Sequence, residues 1–123
     1  MLMTARVLMG LIAALHFYIA YFEMFAWETT GPRVFSTFPP ALFGQTTVLA
    51  ANQGMYNAFL AVGLIWAVCI TNREWQRKIG ICFLLFIMAA GVVGAITISP
   101  RIMMIQTVPA LLAALLLWRS AYR

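Results

Sequence analysis

The chain has 123 residues, 64% of them hydrophobic, with 8 Lys or Arg against 3 Asp or Glu. A soluble domain is nearer half apolar and a quarter charged, so 9% charged residues cannot clothe a surface in water and the chain belongs in lipid. The net charge of +5 does not read as a nucleic-acid surface, because the basic residues flank apolar runs instead of forming a stripe.

A spanning helix needs about 20 apolar residues, and four of them would occupy most of this length. The expected spans are 7–27, 48–70, 79–98 and 102–118. Arg6 followed by an apolar run has the start of a signal peptide, but the run continues through aromatics to Trp27 with no small-x-small site, so the segment is expected to stay as the first span. The connection 28–47 is the one long loop, and Pro39 and Pro40 break its apolar stretch. That stretch is expected to lie at the outer interface, anchored by Phe35, Phe38 and Phe43. Pro109 is expected to bend the fourth span and release a backbone carbonyl one turn earlier.

The scarce charges set a topology. Arg6, the loop with Arg73, Arg77 and Lys78, and the tail with Arg119 and Arg123 put six basic residues on one side, against Arg33 and Arg101 on the other. The positive-inside bias then places both termini and the central loop in the cytoplasm. The expectation is an all-α integral membrane protein, a four-transmembrane-helix bundle passing several times through the inner (cytoplasmic) membrane. Cys69 and Cys82 fall at the cytoplasmic ends of spans two and three, where a structural disulfide is disfavoured and packing is the expected role.

Ionisable residues within a span are costly and are functional hypotheses by default. Span one holds two, His16 and Glu23, which share a face, with Glu23 about 10 Å nearer the outer surface. Span two carries Asn52, Gln53, Tyr56 and Asn57 within an arc of roughly 140°. Gln106 enters span four at comparable depth, with Thr97, Ser99 and Thr107 nearby in sequence as ordinary interhelical glue. His16, Glu23, Asn52, Gln53, Tyr56, Asn57 and Gln106 are therefore the expected ligand-binding residues of a polar chamber in the outer leaflet. One His and one intraspan carboxylate are too few for a metal site, and no catalytic residue or particular cofactor is indicated. Small residues in spans three and four mark close packing of those spans, or a homo-oligomer through Gly91, Gly94 and Ala110.

Three stretches also carry a family resemblance. They are His16-Phe17-Tyr18 with Glu23-Met24-Phe25-Ala26-Trp27; then Ala50-Ala51-Asn52-Gln53-Gly54-Met55-Tyr56-Asn57-Ala58-Phe59-Leu60; then Gly91-Val92-Val93-Gly94-Ala95-Ile96-Thr97 with Gln106 and Pro109-Ala110. On these the chain resembles the bacterial domain-of-unknown-function family numbered 1304, small membrane proteins of this size. The Asn-Gln-Gly-x-Tyr-Asn core is the specific part. Where members often carry an acidic residue directly before the histidine, this chain has Leu15. The resemblance implies a four-span fold and no particular activity. Two functions stand open: binding or transport of a small molecule or ion at the Glu23 chamber, and a non-catalytic accessory subunit of a larger membrane complex. Enzymatic activity is disfavoured, because span two lacks the basic residues that hold a thiol cofactor in small four-span enzymes.

Overall fold

A computed structural model describes residues 1–120; the tail residue Arg123, used above for topology, lies outside the described residues. Every regular element among the described residues is helical. In chain order they are α1 (Leu2–Phe25), α2 (Trp27–Val34), α3 (Pro40–Gln45), α4 (Thr47–Cys69), α5 (Arg73–Thr97), a π turn (Met103–Thr107) and α6 (Val108–Arg119). Helices α1, α4 and α5 are each long and apolar enough to cross a membrane, whereas Met103–Arg119 is a shorter apolar helix. The 12 α-helical residues of α6 would reach only about 18 Å, well short of a hydrocarbon core of about 30 Å without the preceding π turn.

The chain divides into two compact units, residues 1–14 with 60 onward, and residues 15–59. The larger unit draws its core from α1, α4, α5 and α6: Met9, Leu64, Leu84, Ile87 and Leu117 are all fully enclosed. Alanines from the same helices fill the gaps between them, as the close approach of apolar helices requires. A Cβ on Gly80 would lie 2.7 Å from Leu117 Cδ2, and one on Gly91 would overlap Thr107 Oγ1. Gly91 and Ala110 are thus buried within the chain's own packing, while Gly94 faces Ile102. Thr107 completes this seam by donating from Oγ1 to the Met88 carbonyl at 3.2 Å. That is the interhelical role expected of it.

Where a bend is expected at Pro109, the structure shows a π turn immediately before it. Having no N–H, it cannot continue the ladder, and the turn before it widens to π geometry. The Val108 N–H there reaches back five residues to the Met103 carbonyl.

Two ends of helices differ from the sequence expectation. Helix α5 begins at Arg73, well before the apolar run, because the Asn72 side chain accepts from the Glu74 and Trp75 N–H groups at 3.1 Å each. Such a cap, with Glu74 against the positive helix end, starts a helix in polar sequence. The Glu74–Lys78 ion pair then links the first two turns. Helix α1, expected to run through Trp27, stops at Phe25; Ala26 leaves helical geometry and the chain restarts as α2.

At the other end of α4 the structure finds a polar contact that periodicity does not announce. Gln76 is only 1% exposed, and its Nε2 donates to the Ala67, Val68 and Ile70 carbonyls at 3.0, 3.3 and 3.2 Å. Arg6 Nη2 also donates to Ile70 O at 3.2 Å. The last carbonyls of a helix have no partners of their own and carry its negative end. Arg6, read from sequence as a topology marker, therefore also caps a helix. Gln76→Leu is expected to destabilise the detergent-solubilised protein by about 1–2 kcal/mol, since it strands carbonyls that the amide now satisfies. Thermal unfolding of the purified variant checks this, and an unchanged midpoint would show that water replaces the amide.

Candidate functional site

The smaller unit holds six of the seven residues expected to form the site. It is built from the second half of α1, the short helices α2 and α3, and the first half of α4. The connection 28–47 is not a plain interfacial loop. Pro40 opens α3 at the first helical position, where its missing N–H is no loss. Gly31 in α2 lets Phe43 of α3 press so close that a Cβ would lie 2.6 Å from the ring's Cε1.

Phe43 is 1% exposed, which corrects its expected place as an interfacial anchor. The reason is its neighbour: Trp27 lies 5.2 Å from it, centroid to centroid. Phe35 packs on Trp27, Phe22 and Phe38 in the same cluster. The three phenylalanines thus join a small aromatic core. The Trp27 indole N–H donates to Thr46 Oγ1 at 2.9 Å, and Thr46 in turn donates to the Leu42 carbonyl at 2.8 Å. This satisfies the one polar atom of the cluster, as a half-buried indole requires.

Beneath this cluster α1 and α4 come together at Gly54. A Cβ there would stand 2.6 Å from Met24 Cγ, 2.9 Å from the Ala20 carbonyl and 3.2 Å from Glu23 Cβ. Only glycine permits that approach. Three residues on, and hence on the same helix face, Asn57 is brought against Glu23. Its Nδ2 donates to Glu23 Oε2 at 2.8 Å and, more weakly, to the Gln53 carbonyl at 3.4 Å. Asn57 is buried and Glu23 half-buried. The Asn-Gln-Gly-x-Tyr-Asn core thus reads as a glycine for contact and an asparagine for the carboxylate.

The other expected residues divide. His16 is fully enclosed, 0% exposed. It sits two turns below Glu23 on α1, and Glu23 takes its hydrogen bond from Asn57 instead. Asn52, Gln53 and Tyr56 present their side chains on the exposed side of α4. Gln106 belongs to the larger unit, in the π turn, and is half-buried. Glu23 forms no ion pair with any described Lys or Arg.

Sequence reasoning missed Glu28. Its Oε1 accepts from Thr47 Oγ1 at 3.0 Å, tying α2 to the start of α4. With Met24, Trp27 and Thr29 these residues line a shallow cleft of about 260 Å³. The available signal was the pair of threonines, Thr46 and Thr47, where two helices meet. Among the described residues, no three His, Cys, Asp or Glu side chains cluster as a metal would require.

Comparison with known proteins supports the whole-chain resemblance. A family described as "Protein of unknown function (DUF1304)" matches residues 10–118. The "Uncharacterized protein YpaA" of Lactococcus lactis subsp. lactis (strain IL1403) is 33% identical over 110 residues, covering 87% of this chain and 91% of the relative. No solved structure matches the chain. The matched stretch takes in Glu23, Gly54, Asn57 and Pro109 alike, and the chain belongs to the DUF1304 family.

Proposed function

We propose that this is a four-span protein of the cytoplasmic membrane, with both termini inside, that binds a small cation at the Glu23–Asn57 pair. One observation carries the reading: a half-buried carboxylate on a largely apolar helix, held by one amide and by no described cation. Asn57 occupies one carboxylate oxygen, and Oε1 receives no hydrogen bond from the described residues. Charge in such a place is expensive unless it is matched, and a bound cation or proton matches it. The Asn57 amide holds the carboxylate in one orientation, and His16, deeper on the same helix face, is the candidate relay for transport. Aromatic neighbours on the outer side, with the Glu28 cleft, suit the entry of a cation.

The test is thermal unfolding of the purified protein in detergent with Na⁺, K⁺ or tetramethylammonium chloride, against N-methylglucamine chloride at equal ionic strength. Binding to the folded state alone stabilises it by about 2.7 kcal/mol at a hundredfold excess over Kd. At least one of the three cations should raise the wild-type midpoint, and Glu23→Gln should lose that rise while remaining folded. A wild type indifferent to all three, or a Glu23→Gln variant that responds like wild type, overturns the assignment.

A further inference from the structure

The exposed side of α4 carries an anomaly. Val48, Asn52, Met55 and Phe59 follow one another at steps of four, three and four residues, and all four are exposed. That is the spacing of a helix–helix seam. Spacing alone proves little, since α1 has a similar exposed stripe through Tyr18, Tyr21 and Phe25. The α1 stripe, however, carries its polar atoms only as single hydroxyls at the tips of long aromatic rings, which lipid covers more readily than a bare amide. The α4 stripe holds the short amide of Asn52, with Gln53 and Tyr56 beside it. Asn52 lies five residues inside a 23-residue helix, about 7 Å along its axis. Its side chain is too short to reach far beyond that depth, and an amide left bare in hydrocarbon is costly.

We infer that the chain forms a parallel homodimer through this face of α4, with Asn52 of each copy hydrogen-bonded to Asn52 of the other across a two-fold axis. A second copy is the partner the chemistry selects. A side-chain amide holds both a donor and an acceptor, so two of them facing across a two-fold satisfy each other reciprocally. A copy in the same membrane also presents the amide at the same depth and the same apolar residues on either side. One polar residue in an otherwise apolar seam is the arrangement that sets register in paired helices. The face is separate from the Glu23–Asn57 contact: Asn57 is buried where Asn52 is exposed, about 140° around the helix. The inference rests on α4 crossing the bilayer and on no property of the cation site.

The experiment is oxidative cross-linking in native membrane vesicles, in a Cys69→Ser/Cys82→Ser background, with copper phenanthroline. Val48→Cys and Met55→Cys, which keep Asn52 in place, should give covalent dimers at least fivefold above Tyr18→Cys on the exposed face of α1. On the otherwise native chain, Asn52→Leu should shift the particle mass in mild detergent from dimer to monomer. Cross-linking at positions 48 and 55 no stronger than at 18, or a dimer that survives Asn52→Leu unchanged, overturns the proposal. Alkaline carbonate extraction of the same vesicles separates the two levels of failure. A chain retained in the pellet but not cross-linked overturns the dimer alone, and one released to the supernatant overturns the spanning of α4 as well.

Discussion

Asn57→Leu should destabilise the detergent-solubilised protein by about 2–3 kcal/mol, while Glu23→Leu/Asn57→Leu should cost clearly less than the sum of the two single changes. The asymmetry follows from what each variant leaves behind. Leucine at 57 removes the amide that donates to Glu23 at 2.8 Å and strands a half-buried carboxylate. A hydrogen bond to a charged group contributes about 1.5–3 kcal/mol, and an unpartnered buried charge is worse than none. Removing both groups leaves two apolar side chains that can pack. The double-mutant cycle, read by reversible unfolding, isolates the coupling. Strict additivity would mean that the contact holds nothing, and that Glu23 is already solvated or neutralised by another route. Glu23→Gln separates charge from geometry, since a glutamine retains an acceptor for Asn57 and is expected to keep most of the stability while losing the response to cations.

How much of this was legible beforehand differs by level. Composition and periodicity located three long apolar helices to within a few residues, because apolar runs long enough to cross a membrane stand out in the sequence. They misplaced the start of α5, where a cap at Asn72 and a dipole-matched Glu74 make helix out of charged sequence. They also read 28–47 as surface. Nothing in the order of residues announces that Gly31 makes room for Phe43, because that contact joins two short helices across a turn. At the candidate site, a polar face on α4 was visible, but not its division into a buried Asn57 and an exposed Asn52, Gln53 and Tyr56. Helical angles give only relative directions; which edge of a polar arc meets the neighbouring helix depends on where small residues allow contact. Gly54 decides it. The same limit hid Gln76, a polar residue near a helix start that turns inward to satisfy carbonyls of another helix.

Gly54→Leu should be the most damaging single change in the smaller unit, costing about 3 kcal/mol or more and removing cation-dependent stabilisation together with fold stability. Two opposing effects set the size. Alanine gains roughly 0.5–1 kcal/mol over glycine in a helix interior, so a glycine with open space around it should improve on substitution to alanine. Gly10 in α1 is that case, with nothing within 4 Å of an added Cβ, and Gly10→Ala is expected to stabilise slightly. At Gly54 the Cβ meets Met24 Cγ at 2.6 Å, which a flexible side chain can relieve, but also the Ala20 carbonyl at 2.9 Å, which it cannot. The helices must part, at about 1–3 kcal/mol for the overpacking even of one carbon. Gly54→Ala should therefore show a modest net loss, the propensity gain offsetting part of the strain, and Gly54→Leu a large one. Met24→Ala added to Gly54→Ala discriminates between the two contacts: if the side chain is the obstacle, the double variant recovers, and if the Ala20 carbonyl is, it stays destabilised. The second outcome is expected, because separating α1 from α4 also lengthens the bond from Asn57 to Glu23, one turn further along the same face.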